Sequence, residues 1–100
     1  MKKTLGILGG MGPMATADLF KKVVANTKAD SDAAHIRIYI DNNAQIPDRT
    51  AAILSGGADP MPAMSESAKK LELCGADCII IPCNTAHYFL PRLKEHTDLP

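Results

Sequence analysis

The stretch Ile79-Ile80-Ile81-Pro82-Cys83-Asn84-Thr85-Ala86-His87 decides the fold of this 100-residue chain. Its first part is apolar and β-branched, which is typical of a parallel strand buried on both faces. Its second part suits the start of a helix, because Asn84 or Thr85 can cap free backbone N–H groups. Cys83 is thus predicted at a helix amino end, where backbone donors and the dipole favour a thiolate. We interpret it as a candidate base or nucleophile, against the alternative of a small buried hydrophobe.

The composition predicts one small α/β domain, since 100 residues allow a single core. A hydrophobic content of 46% argues against disorder, and a formal net charge of +0 gives no electrostatic reason to expect nucleic acid. The chain shows neither a transmembrane-length apolar run nor a secretory signal pattern, so we expect no membrane partner. The three cysteines have neither zinc-site nor redox-pair spacing, so we expect no metal and a reducing, cytoplasmic setting.

Hydrophobic periodicity predicts three strands with helices between them. The predicted strands cover residues 5–8, 36–41 and 77–82, and the predicted helices cover residues 14–28, 50–54, 60–73 and the region from residue 85 onwards. The second strand alternates isoleucine with polar residues, which indicates a sheet edge. Gly75 is predicted to cap the third helix, and Pro91 is predicted to kink or restart the last one.

The order of these elements predicts a parallel sheet with right-handed crossovers. We expect a three-layer α/β sandwich with strand order 2-1-3, helices on both faces, and a further strand beginning after Leu99-Pro100. The glycine loop at residues 9–13, the polar loop at 42–49 and residues 83–85 all follow carboxyl ends of strands. These ends share one edge of the sheet, where open α/β folds bind their ligands. Three separate motifs therefore predict one pocket.

The glycine loop has two interpretations. Gly10-x-Gly12-x-x-Ala15 fits the relaxed dinucleotide fingerprint, and Asp41 ends the second strand as a ribose-binding acid would. However, Asp41 lies farther along the chain than the usual spacing of about 20 residues, and Pro13 interrupts the loop. The alternative, which we favour, is a tight strand-to-helix turn without ligand contact.

The polar residues of the predicted pocket also allow alternatives. Arg49 is suited to hold an anion, since its planar guanidinium can make two hydrogen bonds to a carboxylate. It could instead be a surface arginine paired with Asp48. Asn84 and Thr85 offer side-chain and backbone donors beside Cys83, unless they only cap the helix.

The remaining histidine and cysteines near this stretch are less informative. His87 follows Cys83 by four residues on the same helix face, where it could orient a neighbour, tune the thiol or be structural. Cys74 and Cys78 are predicted to be packing residues. Cys78 precedes Cys83 on one strand by roughly 16 Å, so it cannot act opposite Cys83 on one small substrate.

Three motifs along the chain carry a family resemblance. They are Gly6-Ile7-Leu8-Gly9-Gly10-Met11-Gly12-Pro13, Gln45-Ile46-Pro47-Asp48-Arg49-Thr50 and Cys83-Asn84-Thr85-Ala86-His87. In this order they resemble the aspartate/glutamate racemase family, which implies racemisation of an acidic amino acid by two cysteines, without pyridoxal phosphate or metal. The resemblance implies Cys83 as one of these bases and Arg49 as the holder of a substrate carboxylate. It also implies substrate contacts from Met11, Asp48, Asn84 and Thr85.

The resemblance covers one lobe. Members of the family have two similar α/β lobes with the site between them, and the second cysteine comes from the second lobe. We therefore expect residues 1–100 to be a single α/β lobe, the amino-terminal half of a two-lobed racemase that is a homodimer when complete. Two other functions stay open: a non-catalytic module that binds an acidic metabolite, and a nucleotide-dependent α/β enzyme that uses the glycine loop.

Overall fold

The computed structural model describes residues 2–95, 97 and 99. Its sheet has three parallel strands in the order β2-β1-β3. These are β1 (Thr4–Gly9), β2 (Arg37–Asn42) and β3 (Cys78–Ile80). The predicted α/β fold and strand order are confirmed, with β2 at an edge as expected. The further strand predicted after Pro100 lies outside the described residues.

The helices follow the predicted order with small changes in their ends. They are α1 (Pro13–Asn26), α2 (Arg49–Leu54), α3 (Met61–Cys74) and α4 (Leu90–Leu93), with two 3₁₀ helices, Asp32–Ala34 and Thr85–Phe89. Gly75 caps α3 with a left-handed φ of 102°, and Pro91 lies in the first turn of α4. Proline is tolerated there because the first N–H groups of a helix have no partner within it. None of these helices, in the part of the chain that is described, has both the length and the hydropathy to cross a membrane.

Helices cover both faces of the sheet, but unequally. The face that carries Leu8 packs against α3, the 3₁₀ helix Thr85–Phe89 and α4, and it holds the main core. The opposite face carries Ile7, which is fully buried, and it is covered by α1. On that second face Phe20 and Ile40 each remain 40% exposed. The apolar surface between α1 and this face of the sheet is therefore only partly packed.

The turn from β1 into α1 is held by one buried hydroxyl group. Thr16 is 3% exposed, and its Oγ1 accepts a hydrogen bond from the Gly10 N–H at 2.9 Å and donates to the Gly12 carbonyl at 3.1 Å. Gly10 has a left-handed φ of 98°, and a Cβ there would lie 2.2 Å from the backbone of Asn43. The glycine at this position is therefore explained by a close approach of two backbone segments, which favours the tight-turn interpretation.

Replacing Gly10 by alanine should destabilise the fold more than the same change at Gly75. Both glycines have nearly the same positive φ, so each variant loses about 1–2 kcal/mol from the left-handed backbone alone. A Cβ at Gly75 meets nothing within 4 Å, whereas one at Gly10 collides with the backbone of Asn43. That collision should add roughly 1–3 kcal/mol. Urea unfolding of both variants measures the difference, and equal losses would contradict it.

Candidate functional site

Three segments meet at the carboxyl edge of the sheet. The turn after β1, the loop after β2 and the residues after β3 lie side by side there, as the parallel topology requires. Asn43 joins the first two segments, since its backbone N–H donates to the Gly9 carbonyl at 3.2 Å. Arg49, at the start of α2, links the second segment to the third electrostatically, because its guanidinium lowers the pKa of the Cys83 thiol. The predicted convergence of Arg49, Thr85 and Cys83 is therefore present in the structure.

Cys83 follows β3 in a tight turn. Its backbone N–H donates to the Ile81 carbonyl at 2.9 Å, so the strand ends earlier than the predicted residue 82. The side chain is half-buried, and its Sγ lies 3.3 Å from the Thr85 hydroxyl oxygen. The backbone N–H of Ala86 and the guanidinium of Arg49 also act on this sulfur. The site thus presents one thiol to three groups that can donate hydrogen bonds.

The pKa of the Cys83 thiol reflects two opposed effects. Burial is the largest single effect and raises the pKa, because it disfavours the charged thiolate. The Thr85 hydroxyl, the Ala86 N–H and the Arg49 guanidinium together outweigh burial, so the pKa lies below its ordinary value. A thiol with a lowered pKa is ionised in a larger fraction near neutral pH and can accept a proton. The role of this thiol as a base or nucleophile stays a prediction.

Arg49 is anchored to its own loop. Its Nη1 donates to the carbonyls of Ile46 and Pro47, both at 3.3 Å. Its Nε is buried and has no hydrogen-bond partner among the described residues. Asp48 does not pair with it, because the Asp48 carboxylate caps α2 by accepting the N–H of Thr50 at 2.9 Å. The surface ion pair considered as an alternative is therefore not what the structure shows.

The predicted capping by Asn84 or Thr85 is wrong. Asn84 occupies the cap position of the 3₁₀ helix Thr85–Phe89, but no side-chain capping bond is made there. The Thr85 hydroxyl is instead bonded to the Cys83 sulfur. The reason is geometric: the helix begins immediately after the tight turn at Cys83, which brings the hydroxyl of residue 85 beside the thiol. Both side chains are exposed at the carboxyl edge.

Two other predicted residues lie in unexpected surroundings. Met11 is 5% exposed and packs in the main core, so the structure gives its side chain a packing role, and its contact with substrate stays a prediction. Cys74, predicted to pack, is instead exposed at the carboxyl end of α3. Cys78 is half-buried on β3.

Asn43 and His87 position backbone in ways that the sequence did not specify. Asn43 Nδ2 donates to the buried Ser67 hydroxyl at 3.1 Å, and its Oδ1 accepts the Gln45 N–H at 3.2 Å. An asparagine directly after a strand is a signal for such a local turn. His87 Nδ1 lies 2.6 Å from the backbone carbonyl oxygen of Cys83. Within the described residues, no group of three or more His, Cys, Asp or Glu side chains could hold a metal ion.

The sequence of this chain matches a known protein family. The family model described as Asp/Glu/Hydantoin racemase matches residues 8–100. The broad specificity amino-acid racemase RacX of Bacillus subtilis (strain 168) is 33% identical over 103 aligned residues, which cover 96% of this chain and 43% of RacX.

Two solved structures have a similar fold. Picrophilus torridus aspartate racemase has a TM-score of 0.85 and 39% identity, over 89% of this chain and 38% of that protein. An aspartate racemase homologue from Pyrococcus horikoshii OT3 has a TM-score of 0.75 and 24% identity, over 100% of this chain and 43% of that protein. This second likeness shows the fold alone. The chain spans about two fifths of the length of these relatives.

Replacing Thr85 by valine should raise the pKa of Cys83, because the change removes a hydrogen bond to the thiolate at nearly constant volume. Alkylation of Cys83 by iodoacetamide near neutral pH should slow roughly threefold to tenfold, and its pH profile should move to higher pH. Mass spectrometry of the Cys83 peptide measures the rate. Thr85→Ser keeps the hydroxyl and is the matched control. Identical profiles for the two variants would show that this hydroxyl does not act on the thiol.

Proposed function

Because this chain belongs to the Asp/Glu/hydantoin racemase family, we propose that it supplies one catalytic half of a racemase for an acidic amino acid, aspartate or glutamate. The observation that carries the proposal is the Cys83 thiol, whose pKa is lowered at the carboxyl edge of the sheet. Open α/β folds bind their ligands at this edge. The printed name of the Picrophilus torridus relative, aspartate racemase, supports an acidic substrate.

In the proposed reaction the Cys83 thiolate removes the α-proton of the bound amino acid. The Cα–H bond breaks, an S–H bond forms, and the electron pair spreads from Cα into the adjacent carboxylate. This step is difficult, because negative charge develops on a group that is already negative. Fixed donors and a cation must stabilise that charge. Arg49 and the donors of Asn84 and Thr85 are the groups that we propose for this task.

The remaining predicted contacts have supporting positions. Asp48 caps α2, the helix that begins with Arg49, so we propose that it fixes the helix end from which the guanidinium reaches the substrate. Met11 is part of the glycine turn and its side chain packs in the main core, and we propose that it forms the floor of the substrate site.

The proton on the opposite face of Cα must come from a second group, because one thiol reaches only one face. Cys78 lies on β3, and Cys74 lies at the end of α3, so neither of them can face Cys83 across a small substrate. We propose that the second thiol belongs to another lobe, because the relatives are much longer than this chain. The complete protein is then a two-lobed racemase, which we propose to be a homodimer.

The proposed chemistry has consequences for the cofactor and for the redox state of the protein. Proton transfer between thiols and carbon needs no carbonyl cofactor, so we propose a reaction independent of pyridoxal phosphate. It also needs a reduced Cys83, and the three cysteines of the described chain are free. A reducing, cytoplasmic setting suits such a protein.

Incubation with aspartate in D₂O should test the role of Cys83. The chain alone should exchange the α-proton of one enantiomer slowly, with little conversion to the other, because the second proton donor is absent from residues 1–100. Cys83→Ser should abolish exchange, and Cys74→Ser should not change it. NMR follows the exchange, and chiral chromatography follows the conversion.

Two outcomes of this experiment would contradict the proposal. Binding of aspartate without exchange would indicate a non-catalytic binding module. The second outcome is conversion between the aspartate enantiomers at a rate proportional to protein concentration, even at dilutions where sedimentation shows only monomer. It would mean that a second base lies within this chain.

Replacing Arg49 by lysine should weaken aspartate binding about tenfold or more. Lysine keeps the charge but loses the planar guanidinium, and one charge-assisted hydrogen bond is worth roughly 1.5–3 kcal/mol. Calorimetric titration measures the affinity. Arg92→Lys is the matched control, since Arg92 is an exposed arginine paired with Asp59. Unchanged affinity in Arg49→Lys would show that Arg49 does not hold the substrate.

A further inference from the structure

The backbone carbonyl of Cys83 has an unusual hydrogen-bond donor. In an α-helix the N–H of residue 87 would donate to the carbonyl of residue 83. Here the His87 N–H donates to the Asn84 carbonyl at 3.2 Å, because the helix begins with 3₁₀ geometry. The imidazole takes the vacated place, with Nδ1 2.6 Å from the Cys83 oxygen. A carbonyl oxygen only accepts, so Nδ1 carries the proton and donates it.

We propose that His87 is a positioning residue that fixes the direction of the Cys83 thiol. This rests on the proposed role of Cys83 as an acid/base. The N–H of Cys83 is bonded to the Ile81 carbonyl at 2.9 Å, and its carbonyl is bonded to His87. The peptide groups on both sides of Cys83 are therefore held. With both planes fixed, the two backbone dihedrals of Cys83 and the direction of its Cα–Cβ bond are fixed as well.

The direction of the thiol matters because its donors are local. The Thr85 hydroxyl and the Ala86 N–H follow Cys83 by two and three residues, and both act on Sγ. A rotation of the peptide group between residues 83 and 84 would move these donors relative to the sulfur. Arg49, at the start of α2, is the charged group that faces the thiol from a neighbouring element. His87 therefore acts on the thiol through the backbone, by keeping its donors in place.

A set of three variants at His87 tests this role. Asparagine places its Nδ2 where histidine has Nδ1, and Asn26 shows such a contact in α1, where its Nδ2 donates to the Lys22 carbonyl at 2.8 Å. Glutamine carries the same amide one bond farther from the backbone. Phenylalanine keeps a ring but has no donor. The readout is the pH profile of Cys83 alkylation by iodoacetamide, with Cys74 labelling in the same sample as an internal reference.

We expect His87→Asn to keep the parent profile within about twofold. We expect His87→Gln and His87→Phe to slow Cys83 labelling at neutral pH about threefold or more and to move the profile to higher pH, since fewer thiols are ionised. His35→Asn, at a distant histidine before β2, should match the parent.

Two results would overturn the proposal. A parent-like profile in His87→Phe would show that the donor is not needed, and an equally slow His87→Asn and His87→Gln would show that a donor at the Nδ1 position is not what matters. Thermal unfolding checks that each variant is folded. If His87→Phe does not fold, the asparagine and glutamine variants decide the question, because they differ only in where the same amide lies.

The aspartate exchange assay separates this inference from the proposed function. Shifted labelling profiles without any α-proton exchange by the parent would support the positioning role and contradict the racemase role. Exchange by the parent, together with a parent-like labelling profile in His87→Phe, would support the racemase role and contradict the positioning role.

Discussion

The close approach of Gly10 to Asn43 is the constraint on which the site depends. The two backbones are so near that no side-chain carbon fits between them, and this fixes where the chain leaves β2. Asn43 then bonds to Ser67 on α3 and to the N–H of Gln45, which places the loop that leads to Arg49. Arg49 donates to two carbonyls of that loop, and its guanidinium lowers the pKa of the Cys83 thiol. The contact between the segments that follow β1 and β2 thus determines the surroundings of Cys83, which follows β3.

The thiol itself shows how a small site can tune an acid. Burial alone would keep Cys83 protonated, and that effect is the largest one acting on its pKa. This effect of burial is outweighed by a hydroxyl, a backbone N–H and a guanidinium, which lower the pKa. No long helix is needed, since the 3₁₀ helix that follows has only five residues. Individual hydrogen-bond donors therefore lower the pKa of Cys83 more than the helix dipole that the sequence analysis considered. The positions of these donors depend on the backbone around Cys83.

The parts of this structure that follow from repeating patterns could be predicted. The strands, α1, α3 and the αL cap at Gly75 follow from hydrophobic periodicity and glycine chemistry, and the meeting of three loops follows from parallel topology. The choice of hydrogen-bond partner could not be predicted in the same way. Thr85 has a backbone N–H and a sulfur as alternative partners, and only the tight turn at Cys83 decides between them. Likewise, the burial of Met11 depends on α3 and its neighbours, which are distant in sequence.

The thinly covered sheet face beneath α1 has a thermal consequence. Five large apolar side chains there are each between 36% and 44% exposed: Phe20, Val24, Ile36, Ile40 and Ile80. Water therefore already hydrates part of their apolar surface in the folded state. The heat capacity increase on unfolding comes from newly hydrated apolar surface, and for about 100 residues it is usually about 1.2–1.5 kcal/mol/K. This chain should lie below that range. Its stability should therefore change less steeply with temperature, both on warming and on cooling, than that of a domain of equal length with two well-covered faces.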